Sequence, residues 1–268
     1  MKIDVMRQVA QRLATEGIAS LRYDKRGVGE SDGEYLAAGF YDNVADGRAA
    51  LQVLCERSEV DPGAVVIVGH SEGALIAAEL AREGDLAGVV LLAGSARPGE
   101  EVLLWQARQL APTLPAPVRL LMRLMRQDLM KTQAKRLARI KASTDDVIRV
   151  GFVKVNAKWF REFMSHDPAT SLVRATAPIL AITGAKDIQV DPSDVMAMER
   201  IVSTPFVGHV PEDVTHLLRT EDGPATIRTY KKQAGRPVDA GVLGLVTGWL
   251  ADLAPEPLSY NNKIEPRG

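Results

Sequence analysis

Short runs of β-branched and aliphatic residues alternate along the chain with longer stretches whose apolar positions recur every three or four residues. The spacing predicts a helix over 3–16, with Val5, Val9 and Leu13 on one face and Gly17 closing it. A strand over 18–23, a helix over 41–57 and a nearly pure Val/Ile strand over 64–68 follow, the last of a kind buried on both faces. A helix over 72–82 and a strand over 88–93 repeat the rhythm. It resumes with a strand over 178–183, a helix over 192–201 and a short strand over 206–210. Val242, Leu245, Val246, Trp249, Leu250 and Leu253 then fall at helical spacing. This order predicts an α/β fold: a mostly parallel sheet with flanking helices.

The middle of the chain differs. Between 96 and 175 the strands vanish, and Leu, Met, Arg and Lys dominate in helical periodicity. Residues 97–167 hold 14 Lys and Arg against 7 Asp and Glu, so this stretch is basic and the rest correspondingly acidic. The expected organisation is a core made of 1–95 and 176–253, with 96–175 as a helical insertion between two strands. Its positive charge fits either a solvated face or a lid that attracts anionic substrates or an anionic membrane surface. The tail 254–268 has three prolines and too few apolar residues to pack, and is expected to be loose.

Composition narrows the classes. Over 268 residues, 33 Lys and Arg against 34 Asp and Glu leave a net charge of −1, which argues against a surface built for nucleic acid. A single Cys55 excludes an internal disulfide and a cysteine-built zinc site, and is expected to be a small buried hydrophobe. No apolar run approaches the roughly 18–20 residues that span a bilayer. Residues 1–13 carry charges throughout and lack the apolar core of a signal peptide, so the expected location is the cytoplasm. Oligomeric state is not legible.

The chemistry gathers around Gly69-His70-Ser71-Glu72-Gly73, a G-x-S-x-G set directly between a predicted strand and a predicted helix. Such a sharp turn forces its central residue into a strained backbone and lifts the serine hydroxyl above the sheet. The flanking glycines leave room for strand and helix to approach. The helix N-terminus directs free N–H groups, that of Glu72 among them, at a developing oxyanion. A serine needs an imidazole to take its proton. His70 is adjacent and would diverge, His166 closes the insertion, and His209 lies on the last strand. His216 follows that strand in a loop and is best placed, with His209 as the alternative. Asp187, just after the strand over 178–183, is the expected partner of the imidazole; Asp191 before Pro192 reads as a helix N-cap.

The order Ser71, Asp187, His216 resembles that of the α/β-hydrolase superfamily, and within it the esterase and serine-aminopeptidase-like branch. The resemblance rests on Leu21-Arg22-Tyr23-Asp24-Lys25-Arg26-Gly27-Val28-Gly29-Glu30-Ser31, the GHSEG elbow, Thr183-Gly184-Ala185-Lys186-Asp187 and Val214-Thr215-His216-Leu217-Leu218. It implies that 96–175 is a cap over the site and that Gly27 and Gly29 form a structural turn needing positive φ. The family also implies three strands and an oxyanion loop ahead of the first helix seen here. The sequence is therefore expected to lack its natural N-terminus and a second oxyanion donor. The favoured function is hydrolysis of carboxylic esters of small molecules through an acyl-serine, with no metal or organic cofactor. A thioesterase, acyltransferase or peptidase could use the same three residues. An inert binding protein of this fold is the non-enzymatic alternative.

Overall fold

The computed structural model describes residues 3–125 and 128–253. Four strands form one parallel sheet: β1 (Val66–His70), β2 (Gly88–Leu92), β5 (Ile179–Ile182) and β6 (Phe206–His209), side by side in that order. Helix α1 (Val5–Thr15) opens the fold, α2 (Phe40–Cys55) precedes β1, and α3 (Glu72–Ala81) connects β1 to β2. Between β2 and β5 run α4 (Gly99–Leu110), α5 (Ala116–Leu124), α6 (Leu129–Lys141), the hairpin β3 (Val147–Val150) and β4 (Val153–Asn156), α7 (Ala157–Ser165) and α8 (Ala169–Leu172). Helix α9 (Asp194–Ile201) links β5 to β6, and α10 (Tyr230–Gln233) and α11 (Ala240–Leu253) complete the order.

Alternation along the two central strands divides the core into layers. Val89, Leu91, Ile179 and Ala181 pack with Ala74, Ala77 and Ala78 of α3 and with Val195 and Met198 of α9. Val90, Leu92, Leu180 and Ile182 face the opposite way, against Val5, Val9 and Leu13 of α1 and Val242 and Val246 of α11. Both faces of β2 and β5 are thus covered, as their unbroken apolar sequences require.

Three expectations need correction. Residues 18–23 form no strand. A strand exists only through its ladder, and no backbone hydrogen bond joins this segment to β1 among the described residues. Leu21 and Tyr23 are exposed, and a cavity of about 630 Å³ separates the segment from β1. The same gap leaves β1 at the sheet's edge and mostly half-buried, instead of covered on both faces. Within 96–175 strands do occur, as the hairpin β3–β4. Gly151 (φ 63°) takes the first of its two turn positions, where positive φ is needed. Ile148, Val150 and Val155 pack there with Leu137, Ile140 and Met164, giving the insertion its own small core.

Smaller differences concern single residues. Cys55 is half-buried, because it lies in the last turn of α2, beyond the buried residues Phe40, Asn43, Val44 and Gly47. Asp191 does not cap α9, which begins at Asp194; its Oδ1 accepts from Ser193 N–H (3.0 Å) and its Oδ2 pairs with Arg97 (2.6 Å). Gly27 and Gly29 do adopt positive φ (69° and 60°). The expected loose tail, 254–268, lies outside the described residues.

Candidate active site

The parallel sheet places the ends of β1, β5 and β6 along one rim, and the predicted chemistry converges there. Ser71 stands between the last residue of β1 and the first of α3, with φ 56° and ψ −118°. A non-glycine residue in that region is strained and persists only where its surroundings hold it. Here Ser71 N–H donates to Leu92 O (2.8 Å) and Ala74 N–H donates to Ser71 O (2.9 Å), pinning the residue to β2 and α3. The two elbow glycines are not equivalent. A Cβ at Gly69 would collide with the backbone of Gly73 and Ala74, whereas one at Gly73 would meet nothing within 4 Å.

His216 Nε2 lies 3.1 Å from Ser71 Oγ, and its Nδ1 lies 2.8 Å from Asp187 Oδ2. A carboxylate accepts, so a hydrogen bond to it calls for the proton on Nδ1, which leaves Nε2 as the acceptor facing Ser71 Oγ. Asp187 is buried. Its other oxygen accepts from Gln189 N–H (2.7 Å) and Val190 N–H (2.9 Å), which fixes the plane it offers to the imidazole. Of the four histidines, His209 stays on β6, and His166 caps the end of α7, buried in a tilted ring contact with Phe40. His70 has a local role: its Nε2–H donates to His216 O (2.8 Å). Burial, and secondarily the proximity of His216, push the His70 pKa down to about 4, so it stays neutral at pH 7.

Glu72 does more than the sequence suggested. Its N–H is one of the unpaired first donors of α3. Its carboxylate receives the Lys25 ammonium, Asn43 Nδ2 (2.8 Å) and Trp159 Nε1 (2.9 Å), tying α2, the loop before it and α7 to the residue after the serine. Lys25, Asn43 and Trp159 were missed because nothing local marks them; each meets Glu72 only through tertiary packing.

Two hollows meet at Ser71. One is the cavity beside β1, apolar and lined by Leu21, Tyr23, Leu51, Leu54 and Ile67. The other, about 560 Å³, lies under the insertion between Leu103, Trp159, Phe160 and Phe163 on one side and Ser71, Glu72 and Leu75 on the other. The arrangement can deprotonate a hydroxyl against a carbonyl held in either hollow. No cluster of His, Cys, Asp and Glu among the described residues is built to hold a metal ion. No helix among them is long and apolar enough to cross a membrane.

Comparison with known proteins bears on the family and the fold. The profile of the family described as serine aminopeptidase, S33, matches residues 2–222. Esterase EstD of Thermotoga maritima is 27% identical over 258 residues, covering 92% of this chain but 56% of that protein, so the chain spans little more than half its relative. Among solved structures, Est1E of Butyrivibrio proteoclasticus with bound ferulic acid superposes with a TM-score of 0.58 at 16% identity, over 92% of this chain and 80% of its own. Proline iminopeptidase of Mycobacterium smegmatis gives 0.55 at 16% identity, over 92% and 85%. These structural likenesses show the shared fold, and the profile match shows the family: the chain has the α/β-hydrolase fold and belongs to the serine aminopeptidase (S33) family.

Proposed function

We propose that this hydrolase cleaves carboxylic esters of small molecules through an acyl-serine intermediate, with Ser71 as nucleophile, His216 as general base and acid, and Asp187 as the group that orients His216. The observation that carries the reading is the continuous chain from Ser71 Oγ through His216 to Asp187 on a strained elbow facing a hollow. The esterase relative supports the ester class. Ser71 Oγ bonds to the carbonyl carbon while its proton passes to His216 Nε2, and the carbonyl oxygen becomes an oxyanion that Glu72 N–H stabilises. The C–O bond to the leaving alcohol then breaks, and the alkoxide takes the proton from His216. Water adds to the acyl carbon, giving its proton to His216, and the acid departs as Oγ is reprotonated. Asp187 remains ionised throughout and stabilises the imidazolium. Residues 96–175 act in this reading as a cap over the second hollow.

Intact-mass detection of labelling by a fluorophosphonate, followed by a panel of 4-nitrophenyl esters and aminoacyl amides, tests the reading. One adduct on the wild type, none on Ser71→Ala, and turnover of esters ahead of amides is the expected result. Labelling of both proteins, or of neither while both are folded, overturns it. Asp187→Asn should retain the fold and lower kcat by about 10⁴.

A further inference from the structure

The hollow beneath the insertion carries charge that the triad does not use. Four of its lining residues are of charged type: Lys25, Glu72, Arg136 and Lys154. Lys25 and Glu72 pair with each other. Arg136 on α6 and Lys154 on β4 have no carboxylate partner among the described residues. Three acids of the neighbouring helices have other partners: Glu100 pairs with Lys141, Asp42 pairs with Lys158, and Glu162 accepts from Tyr41 N–H. Arg136 lies over the Phe160 ring, its Cζ 5.9 Å from the centroid, a contact that leaves the guanidinium N–H donors free. Both cations are exposed, and Trp159, Phe160 and Phe163 line the same hollow as Ser71.

Two unpaired cations on separate elements, opening on the same hollow as the nucleophile, leave its lining net positive. A neutral ester gains nothing from that charge. An ester with a carboxylate or phosphate remote from its scissile bond gains charge-assisted hydrogen bonds, and a guanidinium can offer two of them in parallel. We propose that this hollow selects anionic esters and that Arg136 and Lys154 are its specificity-determining residues. The inference rests on Ser71 being the nucleophile that this hollow serves.

Two matched pairs of esters test it. One places the charge on the acyl side, the 4-nitrophenyl half-ester of glutaric acid against 4-nitrophenyl valerate. The other places it on the alcohol side, 4-carboxyphenyl butyrate against its methyl ester. In at least one pair, kcat/KM should favour the anion by about ten-fold at low salt, and the preference should shrink several-fold in 0.3 M NaCl. The double variant Arg136→Gln/Lys154→Gln should lose the preference and keep kcat/KM for the neutral ester within about two-fold, which also reports its folding. Calorimetric binding of the same esters to Ser71→Ala reads recognition without turnover. Tighter binding of the anion there, with no turnover by the wild type, would overturn the acyl-serine reading and substrate selection with it, and leave only anion recognition by the hollow. Equal binding and equal kcat/KM within both pairs, or a preference that survives the double variant, overturns it.

Discussion

Ser71 holds a backbone conformation that no ordinary residue prefers, and the surrounding atoms dictate which substitutions the elbow can accept. Gly69→Ala would push a methyl into the backbone of Gly73 and Ala74, so β1 and α3 must separate. With Ser71 as the nucleophile proposed above, a shift on the order of 1 Å there costs about 10² in rate. Gly73→Ala adds a methyl in open space within α3, where alanine is the better helix former. Kinetics on 4-nitrophenyl butyrate should therefore show Gly69→Ala slowed by about 10² or more and Gly73→Ala within about two-fold of wild type. Comparable losses in the two variants would mean that the motif's second glycine serves chemistry and not space. Ser71, Asp187 and His216 were legible in the sequence because each follows a strand at the same rim. Lys25, Asn43 and Trp159 were not, since they reach Glu72 from 47, 29 and 87 residues away.

At the scale of elements, helices were easier to read than strands. A helix closes its hydrogen bonds within itself, so α1, α3 and α11 lie close to where their apolar periodicity puts them. A strand depends on a neighbour, and 18–23 has strand composition without one. The hairpin β3–β4 was overlooked although Val-Lys-Val alternation and Gly151 mark it, because the helical periodicity around it dominated. It ends at Asn156, whose Oδ1 accepts from Trp159 N–H (2.9 Å), capping α7, while its Nδ2 donates to Tyr35 O (3.0 Å) and Ala38 O (2.7 Å). One side chain thus starts α7 and fastens the insertion to the loop before α2. Asn156→Ala removes a cap and two hydrogen bonds, about 2–3 kcal/mol together. Calorimetry should show a Tm lower by about 5–10 °C; an unchanged Tm would mean the insertion is held by its apolar contacts alone.

Across the whole molecule, the sheet has one protected and one open side of β1. Ser71 N–H donates to Leu92 O, and Val65 O accepts from Ala87 N–H. By alternation Ile67 and Gly69 also face β2, so the backbone groups of Val66, Val68 and His70 face the cavity. Water in that cavity is their available partner. Hydrogen exchange should therefore distinguish neighbours along one strand, with the Val66 and Val68 amides exchanging at least about ten-fold faster than those of Ile67 and Gly69. Equal protection at all four positions would require a partner along that edge. Such an edge is also a template for pairing with another chain.

The sequence by itself determined the parallel α/β architecture, the elbow at Ser71 and the rim positions of Asp187 and His216. Those features follow from periodicity, from the φ that a turn demands and from the side of the sheet on which each loop emerges. Only the tertiary structure decided which predicted strands became strands, that Glu72 would bind three donors from distant segments, and that Arg136 and Lys154 would share one hollow without a counter-ion among the described residues. Each of these depends on which surfaces meet across the fold, and the distance-dependent energies of ladders and charges are absent from a linear pattern.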